Sequence, residues 1–345
     1  MIRGLVIYML IMATVAIARA QNGLQEGNLF ILPKDKEHIS INIWKQEQIK
    51  EIQSLKISPN AIYATDQKMR VVIIDTANDS IHLYNLNSKK DTTFSMPFKM
   101  KMKSVLLDDH NLFVGGEMQR ELLAQYHIKT KQWYALEIPE EVLHPGKAID
   151  DLVVNDSLLI AIDNIVTPKY VLYYRLEQQG KLSFSHYKEL KFNGAYENIH
   201  QARITSQYLG LRSNTFSGYS GAGNHITIYD GLDLAKSFSI STRQPDKDFH
   251  TFQDFVIVGD ILLIASKERG LGRLKIKESY FKGGDKNHND FSNFDIGLHS
   301  VRYTPYQDNL IKKLTMIPHI QKVIVTTEQN EGQYLHNVLS DKLMP

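Results

Sequence analysis

Along most of this chain, short runs of β-branched and aromatic residues are separated by clusters of Asn, Asp, Gly and Lys. Runs of roughly four to eight such residues, bounded by turn formers, have the length and composition of strands rather than helices. One formula recurs: an apolar residue, two further residues, Tyr, one residue, and a second apolar position. It occurs at 81–86 around Tyr84, at 123–128 around Tyr126 and at 171–176 around Tyr174, in part at 226–231 around Tyr229, and at 271–276 with Leu274 in place of Tyr. The steps between the central residues are 42, 48, 55 and 45. Each is preceded by another strand-like run, at 71–75, 112–115, 158–163, 208–212 and 261–266, and the polar loop between the two makes the pair a hairpin.

A repeat of this length matches one four-stranded propeller blade, typically ~40 to 50 residues. The spacing therefore predicts an all-β, six-bladed β-propeller with blades near 59–97, 98–140, 145–192, 195–243, 247–292 and 297–345. Residues 29–57 are left over. They are expected to close the ring by completing the last blade, because closure removes free sheet edges; a seventh, incomplete blade is the alternative. Within them, 45–55 fits either a helical face or a strand through Ile49 and Ile52.

Composition narrows the function classes. With 43% hydrophobic and 23% charged residues the chain has the make-up of a globular protein. The formal charge is +2 and the signs are interspersed, so no nucleic-acid-binding field is expected. Arg3, an apolar run over 5–17 and the Ala18-Arg19-Ala20 site form the pattern of a cleaved secretory signal. The expectation is a signal peptide at 1–20 and one propeller domain at 21–345, periplasmic or secreted, with no membrane span in the mature chain. No cysteine is present, which excludes disulfides, thiolate metal sites, cysteine nucleophiles and a lipoprotein anchor.

The export signal and hairpin formula, with Leu211-Arg212-Ser213, Gly218-Tyr219-Ser220-Gly221 and Ile226-Thr227-Ile228-Tyr229-Asp230-Gly231, resemble the TolB-like six-bladed propellers of bacterial exported proteins. The likeness covers roughly residues 28–345 in architecture and is sharp in the fourth blade. It implies a scaffold or binding role and carries over no active-site residue.

The candidate chemistry is positional. Asp150, His200, His250 and His299 recur at steps of 50, 50 and 49, each just before the expected first strand of a blade. Since first strands line a propeller's channel, these four are expected at one channel mouth, where imidazoles and a carboxylate suit a divalent metal or an anionic ligand. Tyr219, in the glycine-rich stretch 217–224, is a candidate loop contact for a protein, peptide or glycan partner. The run 285–290 fails as a calcium loop, since Asp290 replaces the turn glycine and Ile296 the final Glu. Standard hydrolase motifs are missing. The expected function is non-catalytic binding; the alternative is a metal-dependent lactonase- or esterase-like hydrolase with a channel metal held by residues such as Glu197, Asn198, Asp254 and Asp109.

Overall fold

The computed structural model describes residues 29–45, 48–117, 121–143, 147–154, 158–163, 169–177, 181–190, 197–205, 207–217, 221–231, 234, 236–243, 251–283, 298–304, 311–317, 322–327, 333–337 and 343–344. The expected export signal lies outside them. No helix of the described residues is long and apolar enough to cross a membrane.

Local sequence makes the hairpins. In the turn after residue 75, the Asp75 carboxylate accepts from the Ala77 amide at 3.0 Å and from the Asn78 side chain at 2.7 Å, and Asp79 takes the left-handed φ of 51°. Asp and Asn tolerate that conformation better than other side chains because their short polar groups bond the nearby backbone. The next turn repeats the device, with Asn85 accepting from the amides of Asn87 and Ser88 and Lys89 at φ 52°.

Six antiparallel units follow one another around an axis. Blade one comprises Ile62–Thr65, Arg70–Asp75, Ser80–Asn85 and Lys90–Ser95; blade two comprises Lys101–Leu107, Asn111–Glu117, Leu123–His127 and Gln132–Ala135. Blade three is Ile149–Val154, Leu158–Asp163, Lys169–Leu176 and Leu182–Leu190; blade four is Glu197–Ile204, Tyr208–Ser217, Gly221–Asp230 and Lys236–Arg243, with Lys282–Gly283 added at its outer edge. Blade five is Phe252–Val258, Ile261–Ser266, Gly270–Lys275 and Arg302–Thr304, and blade six is Ile311–Met316, Lys322–Thr327, Gln333–Asn337 and Leu343–Met344. From blade one to blade six, each first strand touches the first strand of the next blade, and these strands surround the central channel. Tyr84, Tyr126, Tyr174 and Tyr229 all fall in third strands, opposite the fully buried Val71, Leu112, Leu159 and Leu209 of second strands. The core lies between blades: Phe113 and Leu123 of blade two pack with Ile149, Leu159 and Leu172 of blade three, each such side chain contributing about 1.5–3 kcal/mol.

Residues 29–56 close the ring in a way that differs from the main expectation. Leu29–Pro33, His38–Lys45 and Gln48–Lys56 form a three-stranded sheet of their own between blades six and one, the incomplete seventh blade, instead of adding a strand to blade six. Leu29 and Ile41 pack on Val71 and Ile73 of blade one, while Phe30 and Leu32 pack on Ile317 and Ile324 of blade six. The ambiguous stretch at 45–55 is largely strand because Ile49 stands opposite Trp44 and Leu55 opposite Ile39 in one hairpin; Ile52 is the bulged residue between them. The blade boundaries hold through blade four. Blade five then runs to Thr304, because its fourth strand arrives only after the chain has added Lys282–Gly283 to blade four.

Candidate functional site in the central channel

The first strands of blades two to six share one irregularity. In each, the pairing with the second strand slips by one residue, leaving Lys103, Asp150, His200, Gln253 and Lys312 as bulged positions. A bulge bends its strand and re-aims the side chains beside it. The residue before each bulge is a buried apolar anchor: Met102, Ile149, Ile199, Phe252 and Ile311 are all at most 3% exposed. The local sequence at all five is apolar, polar, polar, apolar, as in Ile149-Asp150-Asp151-Leu152 and Phe252-Gln253-Asp254-Phe255.

The residue after the bulge reaches the neighbouring blade. Ser104 of blade two donates to the Ile149 carbonyl of blade three at 2.7 Å, and Asp151 of blade three accepts from the Ala202 amide of blade four at 2.6 Å. Gln201 of blade four donates to Asp254 Oδ1 of blade five at 2.5 Å, and Asp254 Oδ2 accepts from the Leu314 amide of blade six at 2.8 Å. Four blade junctions are thus joined by one device. Asp254 is the most connected member, also accepting from its neighbour Phe255 at 2.7 Å and from Arg203 at 3.4 Å.

Charge gathers on this frame. Arg212 donates to Gln201 Oε1 at 3.3 Å and to the Phe252 carbonyl at 3.1 Å, and burial lowers its pKa against the pull of Asp254. Burial also pushes the Asp151 carboxyl up and the Lys313 ammonium down. At the bulge end, Lys103 and Lys101 pair with Glu117 at 2.5 and 3.0 Å and hold its carboxyl below the usual range, Lys103 contributing most. Along the first strands of blades one to four, from beside the bulge of blade three to the opposite end, a cavity of about 600 Å³ is lined by Asp66, Asp108, His110, Asp151 and Arg203, among others.

The structure sorts the residues singled out by spacing. Asp150 and His200 occupy equivalent bulges, and His200 is held below the ordinary imidazole value by loss of water around the ring and by Arg212, with Asp150 pulling the other way. The equivalent position in blade five is Gln253, three residues beyond His250, which lies outside the described residues, as does Tyr219. His299 falls in a short 3-10 turn, Leu298–Ser300, that leads into the fourth strand of blade five, and the equivalent position in blade six is Lys312. Of the residues named for a channel metal, Asp254 is occupied by the hydrogen bonds above and Asp109 pairs with Lys68 at 2.5 Å; Glu197 and Asn198 begin the first strand of blade four. Among the described residues no group of three or more His, Cys, Asp or Glu is placed to hold a metal ion. Ser104, Gln201, Arg203, Arg212 and Lys313 were not singled out by spacing; the signal that marks most of them is the apolar-polar-polar-apolar tetrad, which ignores residue identity.

No family model matches the chain, and no curated protein matches it. The TolB-like resemblance therefore rests on the residues of blade four. Among solved structures, the β-propeller domain of Myceliophteria thermophila Cps50 (Swd1) is similar with a TM-score of 0.58 at 10% identity, covering 90% of this chain and 93% of that one. The dihydro-heme d1 dehydrogenase NirN in complex with DHE is similar with a TM-score of 0.51 at 10% identity, over 94% of this chain and 74% of that one. At such identities the likeness is one of fold alone, and the fold is a β-propeller.

Proposed function

We propose that this protein is an exported, non-catalytic binding module of the bacterial envelope, TolB-like in architecture, whose propeller offers its channel and one face to a ligand or partner. The observation that supports this most is the use made of the first strands. Their polar side chains hold blade to blade, which gives a fixed frame beside a cavity of mixed polar and apolar lining rather than a set of mobile acid and base groups. The test is a thermal-shift panel of metals, glycans and peptides on the chain starting at Gln21, with elemental analysis of the protein as isolated. A bound ligand at 100 times its Kd raises stability by about 2.7 kcal/mol, so a saturable shift without turnover is the expected outcome. A stoichiometric divalent metal together with ester or lactone hydrolysis would replace this function with the hydrolase alternative.

A further inference from the structure

The series of post-bulge residues is Ser104, Asp151, Gln201, Asp254 and Lys313. The first four each bond the blade that follows. Lys313 breaks the pattern: among the described residues its ammonium makes no hydrogen bond and no ion pair, and its recorded partner is the ring of Tyr63, 6.0 Å from the nitrogen to the centroid. Tyr63 belongs to the first strand of blade one, two sheets further around the ring. The Lys313 side chain therefore reaches past the N-terminal sheet to the first strand of blade one. Arg203 of blade four and Asp254 of blade five also act on Lys313 electrostatically.

Three cations gather around Asp254: Arg203 lies 3.4 Å from its Oδ1, Arg212 bonds the Gln201 side chain that itself bonds Oδ1, and Lys313 directly precedes Leu314, whose amide bonds Oδ2. The carboxylates beside them are committed: Asp254 accepts from two backbone amides, Gln201 and Arg203, and holds blades five and six, while Asp151, which also feels Arg203, accepts from the Ala202 and Leu152 amides. A half-buried ammonium with an aromatic face and no hydrogen-bond acceptor is costly unless something else completes its shell. The guanidinium of Arg203 has one nitrogen on the Ala202 carbonyl at 3.1 Å and another in only a long contact with Asp254 at 3.4 Å. The exposed His200 and Lys312, at the bulges of blades four and six, flank this region at the channel mouth.

We infer that Lys313, Arg203 and Arg212 form an oxyanion-binding site in the channel, for a carboxylate or phosphate group of a small molecule. This rests on the binding-module function proposed above and names its ligand class. Two guanidinium groups from blade four and an ammonium from blade six suit the oxygens of one such group, and Tyr63 supplies a flat apolar wall on one side.

The experiment is a titration of the chain starting at Gln21 with citrate, with inorganic phosphate, and with chloride at matched ionic strength, read by calorimetry and thermal shift. Saturable binding of citrate or phosphate but not chloride is expected, and which of the two binds distinguishes a carboxylate from a phosphate source. Lys313→Met should weaken that binding by about tenfold or more while raising the Tm of the ligand-free protein, since an unpartnered buried charge is removed. Arg203→Gln should weaken it as well without loss of fold. Lack of saturable anion binding, an unchanged response in both variants, or a lower ligand-free Tm for Lys313→Met would overturn the site. If a neutral glycan or uncharged peptide stabilises the protein and the anions do not, the oxyanion site fails and the binding module stands; metal-dependent hydrolysis would remove the binding module itself.

Discussion

Gly115 lies where a side chain has no room: a Cβ there would sit 2.3 Å from Ser104 Oγ and 2.7 Å from the Ile149 carbonyl oxygen. Those two atoms form the hydrogen bond between blades two and three. Gly115→Ala should therefore cost about 1–3 kcal/mol through overpacking, visible as a lower denaturant midpoint. A second residue-scale effect belongs to Asp163, which pairs with Lys147 in blade three's interior, each side chain 1% exposed, while Lys147 lies 4.9 Å above the Tyr170 ring. Burial pushes the Asp163 carboxyl up to about 6 although Lys147 and Lys169 pull it down. The folded protein then holds this proton more tightly than the unfolded chain does. Between the unfolded value of ~4 and about 6 the folded state binds more protons, so this group's contribution to stability falls as pH rises through that window and is level above it. Chemical denaturation from pH 4 to 7 should show that fall in the wild type and lose it in Asp163→Asn.

At the scale of the strand, the bulged first strands decide how strongly neighbouring blades hold. Ser104→Ala removes one neutral hydrogen bond and should cost about 1 kcal/mol. Asp254→Ala leaves the Leu314 and Phe255 amides and the Gln201 side chain without their acceptor and should cost about 3 kcal/mol or more, whereas Asp254→Asn keeps an acceptor oxygen and should cost less; equilibrium denaturation orders the three. Part of this was legible in sequence. The steps of 50 led to Asp150 and His200, which do occupy equivalent bulges. They then fell short of Gln253 and Lys312, because following histidines tracks residue identity, while the backbone of these strands slips where an apolar anchor precedes two polar residues. Asp151 and Asp254 were visible as letters, but that they bond the next blade depends on a register that only the folded sheets define.

For the whole molecule, the Tyr formula located third strands because its apolar positions must meet the same second-strand positions in every blade, as Tyr84 does at Val71 and Tyr174 at Leu159. The architecture was legible to that extent. Blade five escaped the pattern, since its fourth strand, Arg302–Thr304, pairs with Gly270–Lys275 across an excursion that no local periodicity encodes. The N-terminal sheet escaped it as well. It carries no Tyr formula, and its two flanks are apolar surfaces that fit blade one on one side and blade six on the other.

That position has a consequence during synthesis. Phe30 and Leu32 emerge nearly 290 residues before Ile317 and Ile324, the residues they pack against. At ~5–20 residues per second, the apolar flank of the first sheet stays uncovered for about 15–60 s while every other blade already has a neighbour to fold on. Ring closure is a contact of maximal sequence separation, and such contacts form slowly and late. The joint where Lys322 lies 4.5 Å above the Trp44 ring is accordingly the last to zip shut. Until then the ring stays open, with the apolar flank of the first sheet uncovered.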